Sequence, residues 1–178
     1  MNLRHDVSLQ ACNTLAVPAR ARYFVAVHSE DELFEAVQLS AEKGLARLIL
    51  GGGSNIVLSS DFDGIVIHLC MKGIESQSSA GSITVNVAAG ENWDELVQYS
   101  LAQGWYGLEN LSAIPGNVGA APIQNIGAYG VELKDVFASC TAMDVETGEL
   151  VAFDKEDCEF GYRDSIFKND AKDKYIIT

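Results

Sequence analysis

The chain has 178 residues, with 25 Asp+Glu against 12 Lys+Arg and a formal charge of −13. A hydrophobic fraction of 48% against 21% charged residues is that of a folded chain with a buried core and excludes a disordered one. The acid excess argues against nucleic acid or an anionic membrane as partner, because few cations are available to neutralise phosphates, so any phosphorylated ligand must be held by local geometry.

Met1 to Gln10 contains no apolar stretch of the secretory kind, and runs such as Leu48-Ile49-Leu50 are far too short to span a bilayer. A cytoplasmic setting is expected. Cys12, Cys70, Cys140 and Cys158 form no CxxC pair and no zinc-type spacing. They read as free thiols, uninformative about function, and no metal site is expected.

The first β-prone run is Tyr23 to Val27. Ser29-Glu30-Asp31-Glu32 is a capping-box pattern that starts a helix, with Leu33, Phe34, Val37 and Ala41 as its apolar stripe and Gly44 as its left-handed end. Arg47 to Leu50 reads as a buried strand running into Gly51-Gly52-Gly53-Ser54-Asn55. Met71 to Gly81, rich in Gly and Ser, reads as a lobe junction. Ile83, Val85 and Val87 alternate with polar residues, the pattern of a strand with one buried face. Asn92-Trp93-Asp94-Glu95 then starts a second helix that continues through Leu96, Val97 and Leu101 to Gly104.

Residues 105–133 are both apolar and broken by Gly107, Pro115, Gly116, Gly119, Pro122, Gly127 and Gly130. That combination suits backbone folded closely around something flat or apolar. Val136 to Val145 and Leu150 to Phe153 read as a hairpin joined by Glu146-Thr147-Gly148-Glu149. Gly161-Tyr162-Arg163-Asp164-Ser165 follows, and Tyr175 to Thr178 reads as a strand cut short, so the molecule is expected to be a fragment.

Two features carry chemistry. Consecutive glycines after a strand let backbone N–H groups converge on a pyrophosphate without a positive charge, with Ser54 and Asn55 adding donors; alone, the loop reads equally as a tight turn. It is neither a dinucleotide fingerprint, lacking the third glycine, nor a P-loop, lacking the Lys. Arg163 offers a planar fork for a carboxylate or an enolate, or else a surface ion pair with Asp164 or Glu159. His5, His28 and His68 are isolated and read as structural or solvated, and Trp93 and Trp105 as core or lobe-interface residues.

Asn13-Thr14, Leu50 to Asn55, Ala89-Gly90, Gly107 to Leu111, Ile114-Pro115-Gly116, Gln124 to Gly130 and Gly161 to Ser165, in that order, resemble the UDP-N-acetylenolpyruvoylglucosamine reductase family. The resemblance runs from about residue 10 to the last residue, in the family's longer form. It implies an α+β, two-lobed FAD-binding domain of the vanillyl-alcohol-oxidase (PCMH) type over 1–178. Lobe 1 would cover about 10–72 and lobe 2 about 82–178, with the cofactor between them and the chain ending before the substrate-binding domain. It further implies FAD contacts at Gly51, Gly52, Gly53, Ser54, Asn55, Ile114, Pro115, Gly116, Gly119, Ala120, Ile123, Gln124, Asn125, Ile126 and Gly127, with Ile123 and Ile126 beside the flavin rings.

In such enzymes NADPH delivers hydride to the flavin, which passes it to the enolpyruvyl double bond of a UDP-sugar in peptidoglycan precursor synthesis. The resemblance makes Arg163 the catalytic Arg of this chain and Tyr162 with Arg163 its substrate contacts. The family's Ser acid and Glu would lie beyond residue 178, and no obligate protein partner is implied. Ala120-Ala121 stand where many members have Ser or Thr, so a donor to the flavin there would be backbone N–H. Two other readings are another FAD-dependent oxidase or dehydrogenase of the superfamily, against which the Gly161 to Ser165 motif speaks, and a non-catalytic FAD- or UDP-sugar-binding module.

Overall fold

The computed structural model describes residues 1–79 and 81–178, which divide into two compact units, Met1–Met71 and Lys72–Thr178. The first holds β1 (Arg4–Ser8), β2 (Arg20–Val27), α1 (Glu30–Glu42), β3 (Ala46–Leu50) and β4 (Phe62–Leu69) in a four-stranded sheet of order β1-β2-β4-β3. β2 and β3 run parallel to β4, and β1 is antiparallel to β2. β1 and β4 are absent from the sequence reading. In β4 the reason is physical: Gly64-Ile65-Val66-Ile67 is buried throughout, and a strand covered on both faces shows no alternation.

In α1, Ser29 Oγ accepts the Glu32 N–H at 3.2 Å as its cap, whereas the Glu32 carboxylate accepts the N–H of His28, one residue before the expected partner. The buried stripe is Leu33, Ala36, Val37 and Ser40; Phe34 is half-buried and Ala41 exposed, because the stripe follows i, i+3, i+4, i+7.

The second unit opens with β5 (Ile74–Ser79) and β6 (Ser82–Val87), an antiparallel hairpin. The stretch expected as a junction is thus mostly strand, and the division between units falls at its start; Ala80, within that stretch, lies outside the described residues. Of the alternating β6 residues, Val85 and Val87 are half-buried against the core and Ile83 is exposed. α2 (Trp93–Ala102) is capped by Asn92 Oδ1, which accepts the Glu95 N–H at 3.0 Å.

Trp93 anchors the core formed with Leu96, Val97, Leu111, Ala121, Ile126 and Leu133, and its indole N–H donates to the Leu111 carbonyl at 2.7 Å. Residues 109–135 fold as short 3-10 turns around the two-residue pair β7 (Gly127–Ala128) and β8 (Val131–Glu132). β9 (Ser139–Asp144), β10 (Leu150–Asp154) and β11 (Tyr175–Ile177) form an antiparallel sheet of order β10-β9-β11. The expected hairpin is present; its turn is tied by Asp144 Oδ1, which accepts the N–H groups of Glu146 and Thr147.

Candidate functional site

The glycine loop Gly51–Asn55 leaves the end of β3, where Leu50 is buried and paired in register with His68 of β4. Gly53 is the residue the backbone requires. Its φ is +66°, and a Cβ there would lie 2.8 Å from Asn13 Cα. The Asn13–Thr14 turn packs on this point: the Thr14 N–H donates to the Gly53 carbonyl at 3.1 Å. Asn13 braces its own turn, donating to the Leu9 and Val17 carbonyls and accepting the Val17 N–H. Gly52 and Asn55 are exposed at the loop's crest. His68, behind the loop, lies 3.5 Å from Cys70 Sγ through Nδ1. Burial lowers its imidazole pKa, and a hydrogen bond with the Gly51 backbone opposes that shift.

In the second unit the segment 116–120 is zipped onto 88–92. The Gly119 N–H donates to Ala89 O at 3.0 Å, Val118 N–H to Glu91 O at 2.9 Å and Trp93 N–H to Gly116 O at 3.0 Å. A Cβ on Gly119 would stand 3.0 Å from Ala89 Cα, so only glycine permits this approach. Asp94 accepts from Ala113 N–H and the Ser112 hydroxyl, and these two bonds hold its carboxyl below the usual range.

Along this ribbon Pro115 and Ala120 are exposed and Ile114, Gly116, Ile123, Gln124 and Gly127 half-exposed. Three of the expected cofactor contacts on it are buried, Gly119 against Ala89 and two whose side chains turn inward. Ile126 is part of the core around Trp93. Asn125 is fully buried in a left-handed conformation, φ +45°.

Three hydrogen bonds join segment 123–127 to the loop Gly161–Ser165. Asn125 Nδ2 donates to Gly161 O at 2.9 Å, the buried Ser165 hydroxyl to Ile123 O at 2.7 Å, and the Arg163 guanidinium to Gly127 O at 2.8 Å. Arg163 and Tyr162 are exposed. Among the described residues Arg163 makes no ion pair with Asp164 or Glu159, and Asp164 accepts from Asn169 instead.

Sequence reasoning missed Lys168, whose ammonium donates to the Arg163 carbonyl at 2.8 Å, and the tethering roles of Asn125 and Ser165. Ser165 stands inside a recognised motif, but its partner is 42 residues away and no local pattern announces it. Among the described residues no cluster of His, Cys, Asp or Glu is arranged to hold a metal ion, and no helix is long and apolar enough to cross a membrane.

Residues 21–154 match the model of the FAD binding domain. The chain belongs to that family. This FAD binding domain is 49% identical over 172 residues to the UDP-N-acetylenolpyruvoylglucosamine reductase of Pseudomonas fluorescens, covering 96% of the present chain and 51% of that protein. It spans about half the length of the curated relatives it matches.

Among solved structures it resembles the Thermus caldophilus UDP-N-acetylenolpyruvylglucosamine reductase (MurB), with a TM-score of 0.76 and 28% identity over 99% of this chain and 60% of that one. It also resembles 6-hydroxy-D-nicotine oxidase of Arthrobacter nicotinovorans, with a TM-score of 0.66 and 20% identity over 87% of this chain and 36% of that one. The fold of the FAD binding domain is therefore that of the vanillyl-alcohol-oxidase type of flavoprotein.

Proposed function

We propose that this chain is the FAD-binding part of an NADPH-dependent reductase acting on the enolpyruvyl group of UDP-N-acetylglucosamine enolpyruvate, in the cytoplasm. The observation that carries the reading is the triple tether, which holds the exposed Arg163 and Tyr162 beside the segment 123–127 that the resemblance assigns to flavin.

The donor set suits FAD. The exposed crest at Gly52 and Asn55 offers neutral donors to a pyrophosphate, consistent with a chain of charge −13. The Ile114–Gly127 ribbon offers small or apolar surface to a flat ring, with Pro115, Ala120 and Ile123 at its accessible positions. FAD, when bound, supplies hydride transfer from NADPH to the enolpyruvyl carbon–carbon bond.

The chain's own contribution is positional and electrostatic. Arg163 is anchored through one guanidinium nitrogen to Gly127 O. Its remaining donors would meet the substrate carboxylate, where negative charge grows as the enolate forms. Lys168, held on the Arg163 carbonyl, adds a second cation to the same loop. Tyr162 presents its ring to the sugar nucleotide.

The test is made on the longer protein that carries this chain, loaded with FAD. NADPH should bleach the flavin, and the enolpyruvyl UDP-sugar should restore its colour with formation of UDP-N-acetylmuramate, read by mass spectrometry. Bleaching by NADPH without reoxidation by that substrate would contradict the proposed reaction.

A further inference from the structure

Cys140 and Cys158 are 18 positions apart and share no motif, yet the fold brings their thiols together. Cys140 lies on β9 opposite Phe153 of β10. Beyond β10 the chain turns back at Asp154–Asp157, where each residue's N–H donates to the other's carboxylate, and the Cys158 N–H closes the turn on Asp154 O at 3.2 Å. The turn delivers Cys158, fully buried, into a core with Phe153, Phe167 and Ile177, and half-buried Cys140 packs against the same core. The two thiols are neighbours in that core, each shifting the other's ionisation, and both are free.

We propose that Cys140 and Cys158 are a peroxide-reactive pair that closes to a disulfide at the base of the Arg163 loop.

The two positions suit the two roles. Cys140 is the more accessible, and the neighbouring Cys158 thiol favours its thiolate, so it is the sulfur that meets the oxidant. The Cys158 thiol is pushed up by the neighbouring Cys140, by burial and by Asp157 and Asp154, which favours its protonated form. The Cys140 thiolate attacks a peroxide oxygen, the O–O bond breaks, Cys140 becomes a sulfenic acid, and the departing hydroxide takes up the proton that the Cys140 thiol had released, leaving as the first water. The Cys158 sulfur then attacks the Cys140 sulfur, the S–S bond forms, the S–O bond breaks, and the departing hydroxide takes the Cys158 proton as a second water. Two thiols lose two electrons in total, and the peroxide gains them.

The position gives the bond a consequence. The Cys158 carbonyl accepts the Ile166 N–H at 2.9 Å, so the loop Gly161–Ser165 leaves and returns at this point. A cross-link to β9 fixes the loop's base, whatever the substrate.

The test uses the intact chain treated with hydrogen peroxide and then alkylated. Trypsin separates Cys140, in peptide 135–155, from Cys158, in peptide 156–163. The expected product is these two peptides joined, two hydrogens lighter than their sum and separated by dithiothreitol, with Cys12 and Cys70 still alkylated. Slower amide exchange at Ile166 in the oxidised form should accompany it. The C140S and C140A variants should leave Cys158 alkylatable only after denaturation. Cys140 sulfinic acid without the cross-link, or a cross-link through Cys12 or Cys70, would overturn the pair, and unchanged exchange at Ile166 would overturn its hold on the loop.

Discussion

Asn125 and Gly161 stand 36 positions apart and meet through a 2.9 Å hydrogen bond from the Asn125 amide to the Gly161 carbonyl. The same side chain accepts the Lys134 N–H at 3.0 Å through Oδ1. One buried amide thus fixes three stretches of chain: the ribbon it belongs to, the turn after β8, and the loop that carries Arg163. Asparagine is among the few side-chain-bearing residues that tolerate the left-handed backbone found here.

Replacing Asn125 by Ala removes both bonds and leaves a part-buried carbonyl and N–H without this partner, at about 1 kcal/mol each. Asn125→Gly keeps the backbone conformation but not the bonds. Both variants should therefore melt several degrees below the parent, with Ala the lower. A thermal denaturation series that left Asn125→Ala unchanged would show the amide to be dispensable.

In the glycine loop, Gly53 and Gly52 are expected to act on stability and on cofactor binding respectively. Gly53→Ala forces a Cβ into the Asn13 backbone at a φ of +66° and should destabilise the first unit by about 1–3 kcal/mol. Gly52 is exposed, so Gly52→Val should leave the melting temperature nearly unchanged while weakening FAD binding, because its side chain would stand where the cofactor approaches. Urea unfolding and flavin titration of the two variants would check the contrast.

His68 gives the first unit a pH dependence. Burial favours its neutral form in the folded state, so its pKa there lies below the ordinary 6.5. Its contribution is complete above that value and is lost as pH falls through 6.5 and on through the folded pKa. Melting temperatures between about pH 7 and 5 should fall more steeply for the parent than for His68→Gln, which cannot take up the proton. Parallel slopes would remove His68 from the account.

Arg163→Ala, made in the longer protein, should lower turnover of the enolpyruvyl substrate by about 10²–10³, the usual cost of losing one positioned donor to a developing anion. Reduction of bound FAD by NADPH should change little, since no enolate forms in that half. Stopped-flow absorbance resolves the two halves, and an equal loss in both would make Arg163 a flavin or structural residue.

Legibility in the sequence followed physical range. Both helices were visible because their caps, Ser29 and Asn92, act within three residues, and the β9–β10 hairpin because its turn is local. β4 was hidden by the absence of alternation in a strand buried on both faces. β5 was hidden by its composition, since Ser76, Ser78 and Ser79 sit on an exposed hairpin where apolar residues are not demanded. The glycine loop and the Arg163 loop were recognisable as motifs. What joins Arg163 to its surroundings was not, because Ser165–Ile123, Asn125–Gly161 and Arg163–Gly127 are contacts over 36 to 42 positions. For the same reason the packing of Ile126, apolar in an apolar ribbon, against the core around Trp93 is not announced by any local pattern.

These 178 residues are expected to hold FAD through backbone donors and small residues, with no strong cation required. The direct measurement is the visible absorption spectrum of the purified chain after incubation with FAD and desalting. The expected result is a yellow protein with a flavin band that survives desalting and a markedly weaker one for Gly52→Val. A chain that leaves the column colourless, or a Gly52→Val protein that retains FAD as tightly as the parent, would contradict it.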